Sequence, residues 1–275
     1  MRYPVVSGAF YNSNKAELER EVDGYLRGAK MGARKDSKGL LAGVAPHAGY
    51  VYSGWVAGFT YARIAEEYSS PPTFVIVGPN HTGIGSGLAL SLEDWVTPLG
   101  EVKKDKELGR AIQKNSNLID FDEEAHRGEH SIEVQLPFLQ RVYKNFNFVP
   151  ICMMLQDAET AEDVGRAVAK AERELKRNVV LIASSDFTHY ESAASADRKD
   201  KLALNAIEKM DARAFLGIIE RERVSACGYA PIGAAIVYAK EMGAKKATVE
   251  KYANSGDITH DYAQVVGYAS VVFRK

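Results

Sequence analysis

Short apolar runs alternate along the chain with longer stretches whose apolar residues recur at helical spacing. Leu40-Leu41-Ala42-Gly43-Val44, Phe74-Val75-Ile76-Val77, Phe146 to Met154 and Val179-Val180-Leu181-Ile182-Ala183 read as buried strands. Asn14 reads as an N-cap with Glu17 in the capping-box position, and the helix beyond it places Leu18, Val22, Tyr25 and Leu26 on one face. Trp55, Phe59, Ala62 and Ala65 mark a second helix that runs to Tyr68 and breaks at Pro71-Pro72. Further helices are expected over Lys106 to Lys114, from near Ser131 through Tyr143, and over Ala158 to Leu175, Asp197 to Met210, Ala212 to Glu220 and Ile232 to Met242. Pro137 either bends its helix or marks the true beginning, and Pro231 sits in the first turn of the last one. Leu88 to Ser91, Thr248 to Tyr252 and Gln264 to Phe273 complete the strands. The alternation, with no linker, repeat or low-complexity stretch, predicts a single α/β domain over residues 1–275. Its central sheet is largely parallel or mixed and flanked by helices.

Three strand runs end alike. The first leads into Ala45-Pro46-His47-Ala48-Gly49-Tyr50, the second into Gly78-Pro79-Asn80-His81, and the fourth into Ser184-Ser185-Asp186-Phe187-Thr188-His189. Pro46 fixes φ and Gly49 relaxes it, so the His47 turn is held in one shape. Each strand delivers a histidine beyond its carboxyl end, the edge at which open α/β sheets bind ligands. The glycine-rich Thr82 to Gly87 fits neither nucleotide-binding fingerprint and reads as a tight loop that shapes a pocket.

Composition narrows the classes. A formal net charge of -1 leaves no basic footprint for nucleic acid, and Arg34-Lys35-Asp36-Ser37-Lys38 reads as an exposed loop. No stretch approaches the roughly 20 apolar residues of a membrane span, and Met1-Arg2-Tyr3-Pro4 lacks a signal-peptide core. Cys152 and Cys227 make no disulfide framework. A cytoplasmic protein with free thiols, and neither nucleic acid nor membrane as partner, is expected.

His47 and His81 suggest a shared metal ion, since imidazole is the commonest metal ligand. The third protein ligand is open among Asp186, His189, Glu129, His130 and Cys227. Cys152, inside an apolar strand, reads as inert. Ser184-Ser185-Asp186 with His189 lacks the Gly-x-Ser-x-Gly elbow of a hydrolase, so His189 reads as an acid/base group whose tautomer is fixed by Asp186 or by a backbone group. Glu129 is assigned to capping, His130 reaches the pocket, and His126 and His260 are taken as surface or supporting residues.

These motifs, together with Glu129-His130-Ser131-Ile132-Glu133, Leu136-Pro137, Cys227-Gly228 and Pro231-Ile232-Gly233, resemble the Memo family. The likeness starts at Ser7-Gly8-Ala9-Phe10-Tyr11 and runs to the last strand. The resemblance implies a fold similar to class III extradiol dioxygenases, non-haem iron enzymes that use two histidines and a glutamate. It implies His47, His81 and Cys227 as metal ligands, His189 with Asp186 as catalytic residues, and His130, Tyr50 and Asn80 as substrate-binding residues. Iron or copper is the implied metal, with zinc as the other option. Animal members are described as redox-active metal binders and as binders of phosphotyrosine peptides. This chain departs from them in Gly228-Tyr229-Ala230, where they have Gly-Arg-His, and in Thr82, where they have a second histidine, so the peptide role is not carried over. The name borne by prokaryotic members implies a pathway shared with a radical-SAM enzyme and an Ammecr-type protein.

The leading expectation is metal-dependent redox chemistry on an unknown small molecule. A non-catalytic metal- or peptide-binding module and a zinc-dependent hydrolase are its rivals. A thiolate from Cys227 keeps the carboxylate's charge but is soft and oxidisable, which argues against efficient catechol cleavage.

Overall fold

The structure, a computed structural model, describes residues 1–275. The apolar runs form the middle of one sheet. Its strands are β1 (Leu40–Ala45), β2 (Thr73–Pro79), β3 (Leu88–Leu90), β4 (Trp95–Thr97), β5 (Gly100–Lys104), β6 (Asp120–Phe121), β7 (Asn147–Met153), β8 (Val179–Ser184), β9 (His189–Glu191), β10 (Lys246–Asn254) and β11 (Val265–Arg274). The main path runs β10-β11-β1-β8-β2-β7-β3-β6. Its centre, β1-β8-β2-β7, is parallel throughout. β11 joins β1 and β10 antiparallel, and β3 joins β7 antiparallel. The sheet is therefore mixed around a parallel core, as the alternating pattern predicts.

Side-chain alternation along the central strands supplies two apolar faces. The helices are α1 (Lys15–Gly28), α2 (Tyr50–Glu67), α3 (Lys106–Asn115), α4 (Glu124–Arg127), α5 (Leu136–Val142), α6 (Ala158–Leu175), α7 (Ala193–Glu208), α8 (Ala212–Arg221), α9 (Tyr229–Glu241) and α10 (Gly256–Thr259). Val75, Val77, Val149, Leu181 and Ala183 join the core that includes residues of α3, α6 and α9. Phe74, Ile76, Val180 and Ile182 join the opposite core with residues of α1, α2 and α5. No helix is long and apolar enough to cross a membrane.

Several boundaries differ from the sequence reading for physical reasons. α2 begins at Tyr50, directly off the His47 turn, with Gly49 as its N-cap. Its buried face is Val56, Ala57, Tyr61 and Ile64, while Trp55 and Phe59 are half-buried, because the helix packs on both the sheet and α1. Asn14 caps α1 as expected, but Glu17 takes the Asn12 amide and closes no reciprocal box. Pro137 lies in the first turn of α5 and so marks its beginning. α7 starts at Ala193, where the Ser192 side chain caps it.

Asp200 ties α7 to the His189 segment. Its fully buried carboxylate accepts the Thr188 N–H at 3.1 Å, the Thr188 hydroxyl at 2.5 Å and the Tyr252 hydroxyl at 2.9 Å. Burial raises its pKa from 3.8 to about 6, against the opposing pull of those hydrogen bonds. Between those pH values the folded protein holds a proton that the unfolded chain has released. The stabilisation contributed by Asp200 should therefore be fully present below about pH 4 and be lost, by about 3 kcal/mol, as pH rises through 6. Urea midpoints of Asp200→Asn should lack this decline; an undiminished decline would assign it to other groups.

Candidate metal centre

β1, β8 and β2 lie side by side with their carboxyl ends level, so His47, Ser184 and His81 emerge as neighbours. Close approach lets the remaining segments press onto this edge. A Cβ at Gly78 would stand 2.5 Å from Ser131 Oγ, and one at Gly228 would collide with the Ser184 carbonyl and lie 2.8 Å from Ser185 Cβ. Glycine at 78 admits the Glu129–Ser131 turn, and glycine at 228 seats Cys227 against the end of β8. His47, His81 and Cys227 thereby offer ligand atoms all within 4.8 Å of one another. His47 Nε2 lies 3.1 Å from Cys227 Sγ, and the two imidazole centroids are 5.2 Å apart.

Hydrogen-bond arithmetic assigns the ring protons. The Ser184 hydroxyl donates to the Ser131 carbonyl at 2.6 Å and accepts from Gln135 Nε2 at 2.7 Å. A hydroxyl has one proton, so toward His47 Nδ1, 2.9 Å away, Ser184 Oγ can only accept. Nδ1 therefore carries the hydrogen, and the Nε2 lone pair faces Cys227. His81 is held the same way: its Nδ1 lies 3.0 Å from Glu129 Oε1, an acceptor-only carboxylate, which leaves Nε2 uncommitted.

Electrostatics follow from these contacts. Burial works to raise the Glu129 carboxyl, but His81 and the backbone N–H groups of Ser131 and His81 outweigh it and hold the pKa at about 2. Burial alone would lower the His81 pKa, and pairing with Glu129 overcomes it and raises it. His47 is pushed well below the usual histidine range, by burial first and then by its imidazole neighbours His81 and His130. Burial, with the nearby Asp186 charge, pushes the Cys227 thiol far up. The bare Nε2 of His47 and the Cys227 sulfur thus face each other at 3.1 Å.

The other predicted residues divide. His130 stacks on His81 at 4.8 Å and stands 5.5 Å from His47, so it lines the pocket. Asp186, His189 and Cys227 also bring ligand atoms within 4.8 Å of one another. Of the two orienting groups expected for His189, Asp186 is not the one: its Oδ1 accepts the His47 N–H at 2.8 Å and the Ala48 N–H at 3.3 Å, fixing the His47 turn. His189 is oriented by the Ser225 carbonyl, 2.8 Å from Nδ1, which leaves its Nε2 free. Tyr50 is not placed for substrate, because its ring is buried and its hydroxyl donates to the Val134 carbonyl at 2.6 Å. Asn80 is engaged within its own turn, where Oδ1 accepts from Thr82 and Gly83 and Nδ2 donates to the Ile84 carbonyl. His126 is not a surface residue: it is fully buried, with Nε2 on the Ala89 carbonyl at 3.1 Å. Cys152 is buried in β7, as expected.

Sequence reasoning missed Gln135, Ser184 and Ser225. Gln135 carried a signal, a polar residue between the apolar Ile132 and Leu136, and it is fully buried. Ser184 follows a buried apolar run directly. Ser225 acts through its backbone carbonyl, which no side-chain pattern reveals.

Fold and site together define an open-sheet α/β protein with imidazole and thiol donors gathered at the carboxyl edge of its parallel strands. The chain belongs to the Memo-like protein family, whose model matches residues 2–272. It is 46% identical to a MEMO1 family protein of Methanopyrus kandleri, over 100% of this chain and 99% of that one. Identity is 44% to a MEMO1 family protein of Methanococcus maripaludis, over 99% of each chain. A MEMO1 family protein of Methanothermobacter thermautotrophicus is 43% identical, over 98% of this chain and 99% of its own. Among solved structures, an uncharacterised Escherichia coli K12 protein shares the fold at TM-score 0.52 and 14% identity, covering 85% of this chain and 99% of that one.

Replacing Glu129 by glutamine should lower the His81 pKa, because burial then acts without the opposing carboxylate. An NMR titration of the His81 ring checks this, and an unchanged value would separate His81 from Glu129 electrostatically.

Proposed function

We propose that His47, His81 and Cys227 hold one transition-metal ion, iron or copper, and that the protein carries out redox chemistry on a small molecule. The observation that carries this reading is the contact that each Nδ1 makes on the side away from Cys227, which assigns the ring protons. Both imidazoles have Nδ1–H engaged from behind, by Ser184 and by Glu129, so that Nε2 is free. Metal-ligating histidines are held in this way by their outer partners. Two imidazoles and a thiol, deprotonated on binding, form a donor set that suits copper, iron or zinc. When bound, such an ion supplies electron exchange with the substrate.

The chain's own residues then have separate tasks. The Asp186 carboxylate holds the His47 turn, and its second oxygen lies 4.0 Å from His47 Nε2. His189, with Nδ1–H on the Ser225 carbonyl, presents Nε2 as a proton acceptor beside the ligands. His130 forms a wall against His81. The same donors with His189 as base also suit a zinc-activated water, and the metal content distinguishes this hydrolytic reading.

Protein purified without oxygen should contain about one iron or copper per chain, in keeping with a single closed donor set. Zinc with hydrolytic turnover would favour the second reading, and absence of any metal would remove both. His47→Ala and Cys227→Ser should each lose the stoichiometric metal. His189→Ala should keep the metal while losing turnover by about 10²-fold or more; loss of the metal in that variant would make His189 a ligand.

Catechols supplied with Fe(II) and air should give little ring-opened product, well below the common range of about 1–10³ s⁻¹. Mass spectrometry should find oxidation at Cys227 and not at the buried Cys152. Sustained ring cleavage with Cys227 still a thiol would show that the thiolate tolerates dioxygenase chemistry.

A further inference from the structure

We propose that Arg2 and Glu133 are positioning residues for His81, acting through the segment 126–133; the metal arm of the test below rests on the reading that His81 is a ligand.

Arg2 is distant from His81 in sequence but reaches the segment that holds it. Its side chain is buried, with the guanidinium 4.3 Å from the Trp95 ring centroid. Nε donates to the His126 carbonyl at 3.1 Å, a second nitrogen donates to the Glu129 carbonyl at 2.5 Å, and the third meets Glu133 Oε2 at 2.5 Å. One planar group thus grips both ends of the stretch that carries Glu129. Glu129 in turn binds the His81 ring through Oε1 and the His81 N–H through Oε2 at 2.5 Å.

Glu133 is fully buried and anchors the other side of the clamp. Besides Arg2, it accepts the Val5 N–H at 2.9 Å, the Val6 N–H at 3.2 Å and the Tyr11 hydroxyl at 2.6 Å. These contacts fasten residues 2–11 across the segment. His126 fixes the segment's far end on β3 through the Ala89 carbonyl, its ring edge-on to Trp95 at 5.6 Å. His47 is held by a different group, the Ser184 hydroxyl on β8, which is itself tied to the segment through the Ser131 carbonyl. Loosening the clamp should therefore disturb His81, whose ring and backbone Glu129 holds directly, more than His47, which the segment reaches only through Ser131 and Ser184; a general loss of stability would not produce that order.

The test compares Arg2→Lys, which keeps the charge but loses the fork, and Glu133→Gln with a control, Val168→Ala. Val168 is buried in the opposite core layer, away from the clamp. Two readouts are taken on folded, metal-free protein: solvent exchange of the His81 and His47 ring N–H protons by NMR, and zinc affinity by competition with a chromophoric chelator. Either clamp variant should accelerate His81 N–H exchange and weaken zinc binding, each at least about tenfold, as changes to outer partners of metal ligands commonly do. His47 exchange should rise by less than His81 exchange, and the control should alter neither readout. Unchanged His81 exchange in both folded clamp variants, or equal acceleration in Val168→Ala, would overturn the proposal. If the unaltered protein binds neither zinc nor copper, the metal reading fails separately, and the exchange measurement still decides the clamp.

Discussion

Parallel pairing of β1 and β2 on either side of β8 is the constraint on which the rest of the structure depends. Parallel neighbours in register end at a common edge, so residues far apart in sequence emerge together there. β1 ends at Ala45, β8 at Ser184 and β2 at Pro79, and His47, the Ser184 hydroxyl and His81 follow from those ends. An antiparallel arrangement would have sent one of these groups to the opposite side of the molecule. The crossovers that parallel pairing requires supply the helices that cover both faces and bury the strands completely.

That burial forces the polar residues at the edge to satisfy one another. Each buried donor or acceptor needs a partner, and the network leaves few alternatives. The Pro46 carbonyl can only accept, which fixes the orientation of the Gln135 amide, and Oε1 then accepts from the Tyr61 hydroxyl at 2.5 Å. Gln135 Nε2 then donates to Ser184 and to the Pro46 carbonyl at 3.0 Å. The Ser184 proton goes to the Ser131 carbonyl, and the direction of every later bond is determined. The apolar core thus influences the pocket chemically, through a tyrosine that is itself packed against Phe138 at 4.8 Å.

Much of this was legible in the sequence. The fold class, the central strands and α6, with its bounds at Ala158 and Leu175, follow from apolar periodicity because burial imposes it directly. The gathering of His47, His81 and Cys227 rested on motif resemblance for the cysteine, since nothing local distinguishes a ligand from a small buried residue. The β4–β5 hairpin was missed because its strands are short and partly exposed. Tyr50 and Asn80 were misplaced because motif membership does not reveal side-chain direction: one turns into the core, the other into its own loop. For His126 the choice between surface and supporting residue stayed open because its burial depends on contacts with Ala89 and Trp95, far off in sequence.

The contact between Cys227 and His47 spans 180 positions along the chain. No fragment lacking either end of that span contains the pocket, and a growing chain acquires it only after α9 docks. Folds dominated by such distant pairings assemble slowly and pass through partly ordered states. Those states would hold His47 and His81 without the thiol. The gathered donors therefore report completed folding: two imidazoles and a thiol stand together only on a finished molecule, and a half-assembled one has the imidazoles alone.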